Sequence, residues 1–243
     1  MTISELTVTN AIAALGALGT ASFGLVDATK AAWGGISHIG VGDIKKAIKP
    51  LFGTETSSTN KANPLTYASV LDNLRANWMN GTGLADQKAI AKTLIKLRLS
   101  PETAPALASA TGVDGATLTA IATVIMTAGA LSPAQADAFG RFDLALTSLL
   151  DQAYQRADQR YRNSAKLLAG VFSILIALFA GYFYSLHNKG IYGANPCDYL
   201  RNSFSWAAML AGALATPIAP IAKDLSSAIA AGTNVVQKLQ KTS

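Results

Sequence analysis

Three stretches of this chain, each free of Asp, Glu, Lys and Arg, read as helices long enough to cross a bilayer. They cover residues 6–26, 167–186 and 202–222. At 1.5 Å of rise per residue, about 20 residues match a hydrocarbon core about 30 Å thick. One Lys or Arg at a helix centre costs about 2.5–3.5 kcal/mol on the insertion scale. Three long runs that all avoid it point to lipid. The second run, LLAGVFSILIALFAGYFYSL, is apolar all round and ends in Tyr182 and Tyr184, which suit an interface. The first (TNAIAALGALGTASFGLV) and third (SWAAMLAGALATPIAPIA) rely on Ala, Gly and Thr, so a buried helix of a soluble protein is their alternative reading. Composition agrees with lipid. Charged residues make up 14% of the chain, where a soluble domain carries about 25%. The apolar surplus lies in small residues, with 45 Ala and 20 Gly against 7% aromatics. High hydrophobicity excludes intrinsic disorder, and the single Cys excludes a disulfide scaffold. No Lys or Arg precedes the first run, which therefore reads as a span and not as a cleaved signal.

Basic residues at the span ends give an orientation. Lys30, Lys45, Lys46 and Lys49 follow the first run, Arg156, Arg160, Arg162 and Lys166 precede the second, and Lys223, Lys238 and Lys241 follow the third. The opposite side has only Lys189 and Arg201. The expected order is a first transmembrane helix (1–30, N-terminus outside), a cytoplasmic helical domain (31–131) and a long helix entering the second span (132–186). An external loop (187–201), a third span (202–222) and a cytoplasmic amphipathic tail (223–243) follow. The fold class is thus an all-α integral membrane protein with three transmembrane helices, placed in a bacterial inner membrane. The net charge of +6 serves topology and attraction to anionic lipid. No basic patch with interleaved aromatics speaks for nucleic acid.

Within the cytoplasmic part, Ile44, Ile48 and Leu51 share a helical stripe, with Lys45, Lys46 and Lys49 off it. This pattern predicts a short helix lying on the membrane surface. Asn63-Pro64 predicts a helix start, with Tyr67, Val70, Leu71, Leu74 and Trp78 on its apolar face and Gly81 as its stop. Further helices are expected over 85–97, from Ser100-Pro101 to Ala110, and over 114–128, with no strand anywhere. Ser132-Pro133-Ala134-Gln135 is a capping-box start, and no proline follows until Pro196. One helix is therefore expected from Pro133 to about Leu186. Its packing stripe is Phe139, Phe142, Leu146, Leu149, Ala153 and Ala157, and Asp137/Arg141 and Asp158/Arg162 form favourable i,i+4 pairs. That stripe packs either on the small helices of the same chain or in part on a neighbouring subunit.

The juxtamembrane residues Ala153, Arg156, Tyr161 and Arg162 form an Ala-x-x-Arg-x-x-x-x-Tyr-basic pattern. The third span ends in Ala219, Pro220, Asp224 and Leu225, an Ala-Pro-x-x-x-Asp-Leu pattern. With Pro64, Ala68, Leu71, Asp72 and Leu74, these segments resemble a family of uncharacterised bacterial three-span inner-membrane proteins. The chain departs from that pattern in lacking aromatics between Pro220 and Asp224 and in carrying Pro217. The resemblance implies an architecture and no activity.

Catalytic, cofactor and metal sites have no candidates in the sequence. His38 and His187, the only histidines, fall on opposite faces of the membrane in this topology and cannot close a metal site with Cys197. Cys197 has no base partner, so it reads as a spectator thiol, or as half of an intermolecular disulfide on an oxidising face. Gly40/Gly42 and Gly81/Gly83 read as turns, and Asp143, Asp151 and Asp158 as solvated or ion-paired. The span interiors hold no ionisable residue, which argues against an ion-coupled transporter.

The spans offer small residues at four-residue spacing instead. Ala13, Ala17 and Ala21 form one row, and Gly16, Thr20 and Gly24 another. The third span repeats this with Ala207, Ala211, Ala215 and Ala219 beside Ala208, Gly212 and Thr216. Such rows let membrane helices approach closely. Pro217 and Pro220 predict a kink near the span's end, and Ile221, Leu225, Ile229, Val236 and Leu239 continue an apolar stripe beyond it. The rows either serve packing among the three spans or exceed what one chain can use. In the second case they accept another copy, a different membrane subunit, or a flat pigment or lipid. The expected function is a non-enzymatic structural or assembly protein, acting as an oligomer or an accessory subunit. The alternative is a homo-oligomeric channel lined by the third span and gated at Pro217/Pro220, and a membrane enzyme ranks behind both. In sealed cells, a membrane-impermeant maleimide is expected to label Cys197 without permeabilisation. Labelling only after permeabilisation would reverse the topology.

Overall fold

The computed structural model describes residues 8–57 and 65–221. The basic and apolar tail positions Lys223, Asp224, Leu225, Ile229, Val236, Lys238, Leu239 and Lys241, and the pair Asn63-Pro64, lie outside them. Every regular element among the described residues is a helix: α1 (Val8–Trp33), α2 (Val41–Ile48), α3 (Tyr67–Met79), α4 (Leu84–Leu97), α5 (Ala104–Thr111), α6 (Gly115–Met126), α7 (Pro133–His187), α8 (Pro196–Arg201) and α9 (Ser203–Ile221). α1, α7 and α9 are long and apolar enough to cross a membrane. The chain divides into two compact units, Ser37–Arg162 and Met1–Ile36 with Asn163–Ser243. α7 contributes to both. Its 55 residues make a helix about 80 Å long.

In the unit Ser37–Arg162, α2 to α6 and the first half of α7 enclose one apolar core. Ile44, Ile48, Leu51, Phe52, Leu74, Ile95, Leu107, Leu118, Phe142, Leu146 and Tyr154 are all but fully buried in it. The α2 stripe therefore packs on protein, not on a membrane surface, which corrects the expectation from its amphipathic pattern. The physical reason is availability. The helices that follow offer apolar faces that a short stripe of Ile44, Ile48 and Leu51 can bury against completely.

Caps fix the helix starts. Thr66 Oγ1 accepts from the Ser69 amide at 3.2 Å and caps α3, which begins at Tyr67. Asp114 Oδ2 accepts from the Thr117 amide at 2.7 Å and opens α6. α5 begins at Ala104, three residues after the expected Pro101, because Ser100 and Thr103 bond each other's amides and hold the intervening residues in a turn. Gly40 sits at φ 102° where the chain enters α2; a Cβ there would lie 2.7 Å from the Trp78 ring and 2.9 Å from the Ala157 carbonyl oxygen. Only glycine fits both that backbone and that gap. Trp78 Nε1 donates to the Ser37 carbonyl at 2.8 Å, tying the start of this unit to α3.

α7 is joined to α4 by charge. Lys92 and Lys96 both reach Asp143, at 2.6 and 3.0 Å, and Lys88 reaches Asp151 at 2.6 Å. The i,i+4 pairs Asp137–Arg141 and Asp158–Arg162 are formed at 3.0 and 2.7 Å. Burial alone would raise the Asp143 carboxyl, but the hydrogen bonds and charges of Lys92 and Lys96 hold it below its ordinary value. A depressed carboxyl stabilises the fold fully above the unfolded value of 3.8, and that contribution is lost as pH falls through the lower folded value. Asp143→Asn is expected to cost about 1 kcal/mol near neutral pH, since all three side chains keep some contact with solvent. In thermal melts the gap to wild type should close in acid; a gap of constant size at all pH would contradict this.

Candidate functional site

Two close approaches set the unit formed by α1, the second half of α7, α8 and α9. At Gly19 of α1, an added Cβ would run into the Ala215 carbonyl oxygen of α9 and lie 2.7 Å from the Ala219 Cβ. At Gly212 of α9, it would lie 2.6 Å from the Ile174 Cα of α7 and 2.9 Å from the Ser173 carbonyl oxygen. Backbones meet at both places with no side chain between them. Both small rows of α9 are thereby used in part, since Ala211 is half-buried and Ala207 is exposed. Ala215 and Ala219 face α1, Gly212 faces α7, and Thr216 Oγ1 lies 3.9 Å from the Cβ position of Gly170 on α7. Ala208 is half-buried. α9 remains helical through Pro217 and Pro220, whose side chains are exposed.

α1 is used differently. Its buried face carries Gly16, Gly19, Ser22 and Val26. Of the sequence-predicted row Gly16, Thr20 and Gly24, only Gly16 turns inward; Thr20 and Gly24 are exposed, and nothing lies within 4 Å of a Cβ placed on Gly24. The reason is geometric: at 100° per residue, an i,i+4 row walks about 40° around the helix at each step. Gly19, missed in the sequence because it belongs to neither four-residue row, makes the contact. Ala13, Ala17, Ala21 and Ala28 are also exposed and share one arc of α1 with Thr20 and Gly24.

The outward faces of the other two long helices have another character. α7 turns Leu167, Val171, Leu175, Phe179 and Phe183 outward, and α9 turns Trp206, Leu210, Leu214 and Ile221 outward. Little of this surface is covered by the chain: 22%, 17% and 22% of the apolar windows of α1, α7 and α9 is buried. Bulky rows of this kind suit hydrocarbon, whereas a small-residue arc suits another helix.

Between α7 and α9 the chain builds an aromatic cap. Tyr192 and Phe204 stack with ring centroids 4.1 Å apart, and Tyr184 stacks on Phe204 at 6.4 Å. Tyr199 is buried among them, its hydroxyl seated against Gly181, where a Cβ would clash. Tyr182 and Tyr184 stood out at the end of the second run; Tyr192 and Tyr199 did not, because they lie outside the apolar runs, and Phe204 did not, because it opens the third run with no pattern that marks its partners. Cys197 is exposed on α8.

The juxtamembrane residues lie in the other unit. Ala153 is buried and lines a groove against α2. Tyr161 meets the Trp78 ring edge-on at 6.2 Å, Arg162 is held by Asp158, and Arg156 is exposed. Ala153 and Tyr161 thus pack within the chain. Tyr154, beside Ala153, is fully buried, and burial drives its hydroxyl pKa well up. Among the described residues, no group of three or more His, Cys, Asp or Glu is placed to hold a metal ion.

No protein-family model, no curated protein and no solved structure matches this chain.

These contacts separate the two faces of α1. Gly19→Leu should lower the melting temperature in detergent, since overpacking costs on the order of 1–3 kcal/mol or more where backbone cannot give way. Gly24→Leu should leave it unchanged or raise it. Equal losses from both substitutions would contradict the assignment.

Proposed function

We propose that this protein is a non-enzymatic structural or assembly component of a bacterial inner membrane, working through association of α1 with another membrane helix. The partner helix belongs to a second copy or to another subunit of a larger complex. The carrying observation is a contrast among outward faces: α1 exposes an arc of Ala13, Ala17, Thr20, Ala21 and Gly24 with Leu25 beside it, whereas α7 and α9 expose rows of bulky residues, with Ala207 and Ala213 of α9 between them. Without a hydrophobic drive between helices in lipid, association depends on close packing, and small residues permit it. The interaction surface is therefore drawn on Ala13, Ala17, Thr20, Ala21 and Gly24, while Gly16, Gly212 and Thr216 serve contacts inside the chain. The orientation in this reading, with N-terminus outside and C-terminus cytoplasmic, rests on the distribution of Lys and Arg.

A pore lined by α9 is less well supported. Gly212, Ala215 and Ala219 are turned to α7 and α1, and the bulky outward residues Trp206, Leu210 and Leu214 suit acyl chains better than water. Ala17→Leu or Gly24→Leu is expected to shift the protein to a lower-mass species in native gels of gently extracted membranes, with its melting temperature retained. An unchanged native mass for both variants would overturn the proposal.

A further inference from the structure

The unit Ser37–Arg162 has a groove between α2 and α7 that neither its own stability nor helix association in the membrane accounts for. It encloses about 250 Å³, and its walls include the apolar Ala47, Pro50, Leu149 and Ala153. Two cations, Lys46 from α2 and Arg156 from α7, stand on the same groove, and both are exposed. The one carboxylate lining it, Asp43, has its Oδ1 3.0 Å from Arg160 Nη1, while its Oδ2 is buried with no hydrogen-bond partner among the described residues.

Along α7, Asp137, Asp143, Asp151 and Asp158 each hold a cation. Lys46 and Arg156 form no ion pair among the described residues. Two positive charges with no ion-pair partner, one from each helix that lines a half-apolar cleft, favour an anion there. A guanidinium presents a planar fork that fits two phosphate oxygens, and an ammonium adds a mobile point charge. The apolar wall suits the carbon skeleton attached to that phosphate.

We propose that this groove binds an anionic phosphate ester, held by Lys46 and Arg156 with its carbon skeleton against Leu149 and Ala153. Two sources share that chemistry: the glycerophosphate headgroup of an anionic phospholipid, and a free phosphate ester. The proposal stands apart from association through α1 and shares with it no residue.

The test uses the full-length protein in detergent micelles, titrated with phosphatidylglycerol or phosphatidylcholine and read by native mass spectrometry. Phosphatidylglycerol should bind about tenfold more tightly, the scale of one charge-assisted hydrogen bond. Lys46→Gln combined with Arg156→Gln should abolish that preference with helicity unchanged in circular dichroism. Ala47→Trp, which fills the groove and keeps both cations, should abolish it as well. Lys45→Gln combined with Lys49→Gln removes two charges on and just after α2, outside the groove, and should leave the preference within about twofold. Adding glycerol 3-phosphate separates the sources: competition assigns the site to the ester group itself, and its failure assigns the site to the lipid form. No preference in the wild-type protein would overturn the proposal. So would a loss from the Lys45/Lys49 pair equal to that from Lys46/Arg156, which would mean diffuse attraction without a site.

Discussion

Backbone contact between helices, at Gly19 against Ala215 and at Gly212 against Ile174, is the constraint on which the lipid-sized unit depends. In hydrocarbon no water is squeezed out when helices meet, so holding three of them together requires atoms in close van der Waals contact over their length. Glycine and alanine supply that by removing the side chain that would keep backbones apart. α9 spends Gly212, Ala215 and Ala219 on α7 and α1, and Trp206, Leu210, Leu214 and Ile221 dominate the surface it leaves outward. α1 spends one face and keeps a second arc of small residues exposed, with Leu25 beside it. That asymmetry, more than any single residue, is what the functional reading stands on.

The other unit depends on a different interaction. Its core is closed by α7, a helix far longer than the small helices that pack on it, and charge adds to the apolar seam: Lys88, Lys92 and Lys96 of α4 reach Asp143 and Asp151. Partly exposed pairs of this kind contribute modestly to stability; their value lies equally in fixing the register of α4 on α7. The glycine at position 40 completes the arrangement, since the chain passes between Trp78 and Ala157 with no room for a side chain.

Much of this was readable from the chain, and the failures are instructive. The runs at 6–26, 167–186 and 202–222 fell on the three long helices, although residues 115–136, equally free of charge, hold the short α6; the capping box at Ser132 marked the start of α7, whose Ser132 amide and Gln135 side chain do bond at 2.9 Å. Periodicity located the α7 stripe but missed Leu150 and Tyr154, because a helix stripe drifts when the surrounding helices wrap around it. The α2 stripe was legible as apolar, but its destination was not: amphipathicity alone cannot distinguish a lipid surface from a protein core. Among the small residues, four-residue spacing found rows without saying which way they point. Gly19 was invisible to that spacing, and Thr20 and Gly24 turned out to face away from the other two helices. The groove between α2 and α7 joins residues more than a hundred positions apart, and no local pattern announces it.

The central claim is that another membrane helix seats on the exposed arc of α1. Cysteine cross-linking along α1, in native membranes and in a Cys197→Ser background, tests it most directly. Single cysteines at Ala13, Ala17, Ala21 and Gly24 should give adducts of higher mass, either with a second copy or with another protein. Cysteines at Gly16 and Ser22 should give none. Adducts that appear equally at all positions, or at none, would contradict the account.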